Sequence, residues 1–560
     1  MFAAVSVLLC AGVTSPPPHI ALIIADDLGF ADLGYTGSEI KTPVIDNLVS
    51  EGAVLGHYYV NICCSPTRAM LMTGRYDVRF GLQTQVIPST KKYGLRLNET
   101  TLGDRMQARG YSTHALGKWH LGEWRYDYTP TFRGFESFLG YYGGSQDYFT
   151  HKDMGYDFHL DVGKNCGEGC SRDVSKQYMG NYSTLVYAKR AETVIAAHAA
   201  EMAMATPLTP AKPLFMYLAL QSVHAPIEVP DSYVEPYSNL SITRRKFAGM
   251  VAAMDECVGR VVAALDKAQM LATTAIFFTT DNGGPVGALN GHPRGIGGAT
   301  GSQNWPLRGG KGAYFQGGVR GTAWVHGAFL HSSLVGQTTN ALMHAVDLHA
   351  TIVALAGGTS RMSTALRVAE AAHVEDFPLD GVSQLKVFRD GAKDSAREDL
   401  LVNIERHNPT TAPSSGGECN GPGQYVAILG WHKIIIGGGG LPNTWYHDGL
   451  PFNGTEPTPS GGCLTACNAT GCAAVPALQI FDLEHDEEER VNLAEQTDDK
   501  TVMLIETLLG VVDKYNRSAY VDALFFHRNT THDCPFNNEN GVLTPCPLNA
   551  SATELYVHHS

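Results

Sequence analysis

Short, uninterrupted apolar runs punctuate the first half of the chain, and each stops abruptly at polar side chains. Residues 20–25 end at Asp26-Asp27, residues 214–220 at Gln221-Ser222-Val223-His224, residues 275–280 at Asp281-Asn282-Gly283-Gly284, and residues 111–116 at Gly117-Lys118-Trp119-His120. Continuous apolar runs of this length are the pattern of strands covered on both faces. Helical spacing fills the intervals, over 43–52, 102–110, 187–204, 242–270 and 341–357. The alternation predicts an α/β fold, a large doubly wound, mixed but mainly parallel sheet flanked by helices. Ligands of such sheets sit outside the carboxyl ends of the strands, so the four strand ends nominate one pocket. His344 and His349 lie five apart on the last helix, a poor spacing for shared ligation, and read as ordinary helix residues.

Past about residue 390 the pattern changes. Asp394-Ser395-Ala396-Arg397-Glu398-Asp399 reads as a charged linker, and residues 400–404, 425–429, 432–436 and 480–483 read as short antiparallel strands. A helix over about 498–516 is predicted to pack on them, with loops over 410–423 and 437–476, both rich in Gly, Pro and Asn. The expected partition is a leader over 1–18, a large domain over 19–393, and a smaller C-terminal α+β domain with an antiparallel sheet over 394–560, ending in a loop-rich, disulfide-containing tail.

Composition narrows the partners. The chain has 560 residues, 44% hydrophobic and 17% charged, with a formal charge of 41 − 55 = −14. That balance argues against nucleic acid or an anionic membrane surface, and an anionic ligand must be held by a few local cations. Residues 2–13 form an apolar run ahead of Pro16-Pro17-Pro18, too short to span a bilayer, and read as an atypical signal peptide; no later run reaches a membrane span. Glycosylation sequons begin at Asn98, Asn181, Asn239, Asn453, Asn468, Asn516, Asn529 and Asn549, the last three near Cys534 and Cys546, which favours the secretory pathway. Cys63 and Cys257 read as free thiols, Cys166 with Cys170 and Cys534 with Cys546 as possible pairs. Cys419, Cys463, Cys467 and Cys472 form two bridges of open connectivity or, as the sharper alternative, a zinc site that irregular spacing disfavours.

Asp26, Asp27, Asp281 and Asn282 offer only hard oxygen, and three crowded carboxylates are costly without a cation, which points to Ca²⁺, with Mg²⁺ second. Plain strand-to-turn residues are the competing explanation. The segment Ile62-Cys63-Cys64-Ser65-Pro66-Thr67-Arg68, running on to Thr73-Gly74-Arg75, resembles the signature of the formylglycine-dependent sulfatases of the alkaline-phosphatase-like superfamily. Gly110 to His120 resembles a second block of that family. Ala25-Asp26-Asp27-Leu28-Gly29, Gln221 to Pro226, Thr280 to Gly284, and Pro306 to Lys311 with Gly317 to Gly321 match in the family's order. The likeness is nearest the arylsulfatase B (N-acetylgalactosamine-4-sulfatase) type and runs from about residue 19 to about 493, leaving the last 60 or so residues without a match.

The resemblance implies that a formylglycine-generating enzyme converts Cys64 to formylglycine, whose hydrate is the nucleophile. One geminal oxygen attacks sulfur and the other later expels sulfate. It further implies that Arg68 and Lys118 steady those oxygens and His120 takes the proton of that elimination. Asp26, Asp27, Asp281 and Asn282, together with the modified residue 64, would hold Ca²⁺, while Lys311 and His224 grip the sulfate and the leaving-group side. Thr67 stands where most of the family carries Ser and keeps a hydroxyl. The expected activity is hydrolysis of sulfate esters on a sulfated carbohydrate, in a secreted or lysosomal or vacuolar enzyme. The rivals are a phosphonate monoester or phosphodiester hydrolase of the same superfamily and a non-catalytic glycan-binding relative with unmodified Cys64. Tyr141, Tyr142, Gln146, Asp147, Tyr148 and Trp305 belong to loops that line a sugar site or are simply packed.

Overall fold

The computed structural model describes residues 16–83, 86–89, 91–163, 170–206, 208–286, 300–357, 377–405, 424–437, 439, 445–447, 450–451, 465–468, 471–474 and 478–519. Its centre is a ten-stranded sheet. Five strands run parallel side by side in the order Thr274–Thr280, His19–Ala25, Leu214–Ala219, Ser112–Lys118, Ser137–Tyr141. Ala323–His326 and His159–Val162 flank them antiparallel, which makes the sheet mixed.

Register explains why the polar strand ends meet. Ala25 pairs with Thr280, Ile24 with Ala219, and Ala219 with Gly117, so Asp26, Asp281, Leu220 and Lys118 leave the sheet at one edge. Gly117 is required there: its φ is +93°, and a Cβ would stand 1.8 Å from the Ala219 carbonyl oxygen. Side chains alternate between two apolar layers. Ile20, Leu22, Ile24, Phe215, Tyr217 and Phe277 face the helices Cys64–Thr73, Leu102–Gln107 and Ala345–Leu355. Ala21, Ile23, Met216, Leu218, Ile276 and Phe278 face the long helices Ser183–Ala203 and Ile242–Lys267.

Cys64–Thr73 is buried on every side, although its sequence is not strongly apolar. Extended Cys63 precedes it, Pro66 falls in the first turn where no N–H partner is lost, and Gly74 closes it in the left-handed region at φ 69°. The second sheet, in the order Asp399–Glu405, Gln424–Leu429, His432–Ile436, Leu478–Asp482, is antiparallel and packs against the far side of this helix through Met70. Helix Asp499–Ser518 closes that layer with Leu508, Val511, Val512 and Tyr515.

Three expectations change. Arg397 is no linker residue: it is buried, its guanidinium gripping Asp347 at 2.5 and 2.7 Å and reaching the hydroxyl of Tyr76 at 2.9 Å, which ties the second sheet's entry to the first layer. His344 precedes its helix and caps it, because Asp347 reaches back to the His344 N–H at 2.8 Å while the His344 ring accepts from the Val346 N–H. Within the long loop expected over 437–476, the backbone pairs Tyr446–His447 with Leu450–Pro451 and Thr465–Asn468 with Gly471–Ala474, setting Cys467 opposite Cys472. Cys63 and Cys257 are free and buried, and Cys170 is disulfide-bonded. Cys10, Cys166, Cys419, Cys463, Cys534 and Cys546 lie outside the described residues.

Arg397→Ala leaves the Asp347 carboxylate buried without its partner, so denaturant unfolding is expected to show a loss of about 3–5 kcal/mol. A loss below about 1 kcal/mol, the range of an exposed pair, would contradict this reading.

Candidate active site

Cys64 opens its helix at the centre of the strand-end cluster, 1% exposed. Its thiol lies 3.6 Å from Asp26 Oδ1 and accepts from Lys311 Nζ at 3.4 Å. Lys311 also donates to Asp27 Oδ1 at 2.6 Å, and its loop is fixed by backbone bonds from Lys311 to Gly284 and from Gly312 to Ile62. One helical turn on, Arg68 reaches Asp281 Oδ2 at 2.8 and 2.9 Å and Asp26 Oδ2 at 3.6 Å. Lys118 Nζ donates to Asp26 Oδ2 at 2.7 Å. Three buried carboxylates are therefore matched by three buried cations, each brought from a different part of the chain.

Burial, followed by the charge of Asp281, pushes the Cys64 thiol up to about 12, so at neutral pH it is a thiol and a poor nucleophile. Burial would also raise Asp281, but Arg68 and Lys118 overcome it and hold that carboxyl below its ordinary range. Burial opposes the charge of Lys311, but Asp27, Cys64, Asp26 and Asp281 together outweigh it and keep the ammonium charged.

The donor set suits a hard divalent cation. Asn282 Nδ2 donates to Asp27 Oδ1 at 2.8 Å and to the Gly283 carbonyl at 2.9 Å, which fixes the amide orientation. Asn282 Oδ1 is then buried with no hydrogen-bond partner, an orphaned oxygen of the kind that a cation satisfies. Asp26, Asp27, Cys64 and His224 each bring a ligand atom within 4.8 Å of the others. Nitrogen and sulfur suit a hard cation less well than the oxygens of Asp281 and Asn282.

His120 stands one step back, with a backbone φ of 58°. Its Nε2 lies 3.0 Å from the Ile87 carbonyl, which can only accept, so Nε2 carries the proton and Nδ1 presents its lone pair. Nδ1 is buried and without a partner. Burial, then Lys118 and Arg68, hold the ring well below its usual pKa, as a neutral imidazole. His224 Nε2 is 3.7 Å from Asp27 Oδ2, and the carbonyls of Gln221 and His224 both lie 2.9 Å from the Tyr148 hydroxyl, which holds that loop.

All ten residues nominated from sequence converge here. The sugar-lining reading of the aromatic loop does not hold for Tyr141, Tyr142 and Tyr148, which are at most 1% exposed and packed inward; Gln146 is equally buried, while Asp147 and Trp305 are partly exposed. Ser65 was not singled out, yet its hydroxyl donates to the His120 carbonyl and accepts from the Ile87 N–H, both at 3.0 Å. Its place between Cys64 and Pro66 was the available signal. Thr67 Oγ1 accepts from the Asn61 N–H at 2.8 Å, a bond that needs only the hydroxyl Ser and Thr share.

The sulfatase family profile matches residues 18–358, and the chain belongs to that family. It is therefore a sulfuric ester hydrolase. It is 32% identical to mouse arylsulfatase J over 526 residues, covering 90% of this chain and 76% of that protein. To human arylsulfatase A it is 33% identical over 351 residues, 61% of this chain and 64% of the relative. Rat N-acetylgalactosamine-6-sulfatase is 29% identical, over 62% and 64%. The PsFucS1 sulfatase from Pseudoalteromonas sp. superposes with a TM-score of 0.64 at 20% identity, over 90% of this chain and 92% of that one.

Asp77 supplies a pH-dependent element next to the signature. It is fully buried, accepts from Asn61 Nδ2 at 2.6 Å and from the Val78 N–H at 2.8 Å, and burial raises its pKa from 3.8 to about 7. Because the folded state holds this proton more tightly, its contribution is full below pH 4 and is lost as pH rises to 7, on the order of 4 kcal/mol. Asp77→Asn is expected to flatten the stability profile between pH 4 and 7; equal slopes in both proteins would refute it.

Proposed function

We propose that the chain hydrolyses sulfate esters of a sulfated sugar, using formylglycine at position 64 and Ca²⁺ held by Asp26, Asp27, Asp281, Asn282 and the modified residue. The observation that carries this is a buried Cys64 kept as a thiol by its surroundings, yet placed between Asp26 and Lys311 at the focus of the site. A nucleophile on the same carbon, with two oxygens in place of one sulfur, fits that position. When bound, the cation supplies Lewis-acid polarisation of the sulfate oxygens.

The protein's own groups divide the remaining work. Arg68 and Lys118 orient the hydrated side chain at 64, and Lys311 with His224 supplies positive charge where it is needed on the sulfate and leaving oxygen. His120 Nδ1 takes the proton of the second hydroxyl as the bond to sulfate breaks and the aldehyde returns. Three carboxylates and three cations cancel, so a divalent ion leaves a net +2, suited to a monoanionic ester and a dianionic product.

A sugar substrate is supported by the relation to an N-acetylgalactosamine-6-sulfatase. The relatives bear sulfatase names, so the phosphorus ester reading is not favoured. The 4-sulfatase type stays part of the proposal, since the named relatives are arylsulfatases J and A and a 6-sulfatase. Sequons and a disulfide-bonded Cys170 support passage through the secretory pathway, secreted or lysosomal, where the formylglycine-generating enzyme acts on it. Among the described residues no helix is long and apolar enough to cross a membrane.

Mass spectrometry of the Cys64 peptide, from protein made alongside that enzyme, is expected to show the aldehyde, and Cys64→Ala to abolish release of sulfate from an aryl sulfate. Thiol alone at 64 in an active enzyme would sink the reading. Chelation is expected to stop turnover and Ca²⁺ to restore it. With a charge of −14 the surface does not favour tracking a long polyanion, so short oligosaccharides should release sulfate faster than intact polymer.

A further inference from the structure

His120 is held by a part of the chain that carries no reacting group. The Asp157 carboxylate, 1% exposed, accepts from the Tyr142 N–H at 3.0 Å through one oxygen and from the Gly143 N–H at 2.9 Å through the other. His159 Nε2 donates to the same carboxylate at 3.0 Å, and its ring stacks on Tyr142 with centroids 4.2 Å apart. The clamped turn meets His120 twice. The Tyr142 carbonyl accepts the His120 N–H at 2.9 Å, and Gly144 presses so closely on the imidazole that a Cβ would stand 2.7 Å from Nε2 and 2.8 Å from Cε1. Between these contacts Gly143 is wedged between Asp157 and Ser89, each 3.0 Å from where its Cβ would be. Ser89 lies two residues past Ile87, whose carbonyl holds the ring.

A left-handed backbone at a non-glycine residue persists only where its surroundings over-determine it. At His120 the surroundings are this turn on one side and Ser65 with Ile87 on the other.

We propose that Asp157 is a positioning residue for His120, fixing the Tyr142 to Gly144 turn that sets the imidazole's place and aim. The proposal rests on the reading of His120 as the group that accepts the proton. Asp161 is the internal comparison. It lies in the same buried cluster and accepts from the Tyr142 hydroxyl at 2.7 Å, but no bond joins it to the backbone of residues 142–144.

Asp157→Asn turns an amide N–H toward one of the two backbone N–H groups and loosens the turn. In enzyme carrying formylglycine, kcat on an aryl sulfate is expected to fall about 10- to 100-fold, the range for a small misplacement of a reacting group, with KM unchanged. Asp161→Asn is expected to lower the melting temperature comparably and leave kcat intact. Gly144→Ala keeps the clamp but pushes on the ring, so it should repeat the loss of kcat, which keeps the proposal testable if Asp157→Asn fails to fold. The ¹⁵N shifts of the His120 imidazole should move in Asp157→Asn or Gly144→Ala and stay in Asp161→Asn. Wild-type kcat in Gly144→Ala, equal losses in the two aspartate variants, or unmoved His120 shifts would overturn the proposal. Wild-type enzyme that carries formylglycine and releases no sulfate would instead fail the functional reading, and the shifts would still decide the clamp.

Discussion

Three buried carboxylates at the edge of one sheet set the terms for the rest of the molecule. Asp26, Asp27 and Asp281 are at most 3% exposed, and the Asp27 N–H reaches Asp281 Oδ1 at 3.4 Å while Asn282 donates to Asp27 at 2.8 Å. Such a group folds only if compensating charge is delivered with it. The compensation comes from a helix, a strand end and a loop: Arg68, Lys118 and Lys311. Sheet register, the wholly buried signature helix and the Gly-rich return loop are therefore parts of one electrostatic solution.

That solution has a chemical by-product. Burial and the charge of Asp281 keep the Cys64 sulfur protonated against the pull of Lys118 and Lys311, while burial with Lys118 and Arg68 keeps His120 neutral, with a free lone pair on a defined nitrogen. A neutral imidazole beside a buried, charge-balanced focus is suited to moving one proton at one atom. The sulfur is not suited to attack, and the proposed chemistry at position 64 accordingly proceeds on carbon and oxygen.

The packing beneath the site is less conspicuous and equally specific. The signature helix is gripped between the main sheet and the second sheet, with Leu71 and Met72 facing one layer and Met70 the other. The Arg397 to Asp347 pair closes the seam. Residues 394–399 read as a charged linker because charge density is what a sequence displays; burial of one of those charges depends on a partner 50 positions away.

The apolar runs, their polar ends and the signature were enough to define the class of sheet, the edge where the site lies, and the ten residues that meet there. These features are local or strictly ordered along the chain, so they survive without coordinates. The aromatic loop was ambiguous for the same reason: Tyr142 and Tyr148 are residue types that suit a sugar platform, and only the rings packed over them, His159 on Tyr142 and Tyr182 on Tyr148, show that they are buried. Ser65 and Asp157 act on backbone carbonyls and N–H groups, and Ile87 through its own carbonyl, partners that every residue offers and no sequence distinguishes. The sequence by itself therefore determined which side chains bear charge and chemistry. Tertiary structure decided which of them are neutralised, which nitrogen of His120 is left open, and what holds it there, because those properties belong to pairs of groups that meet only in space.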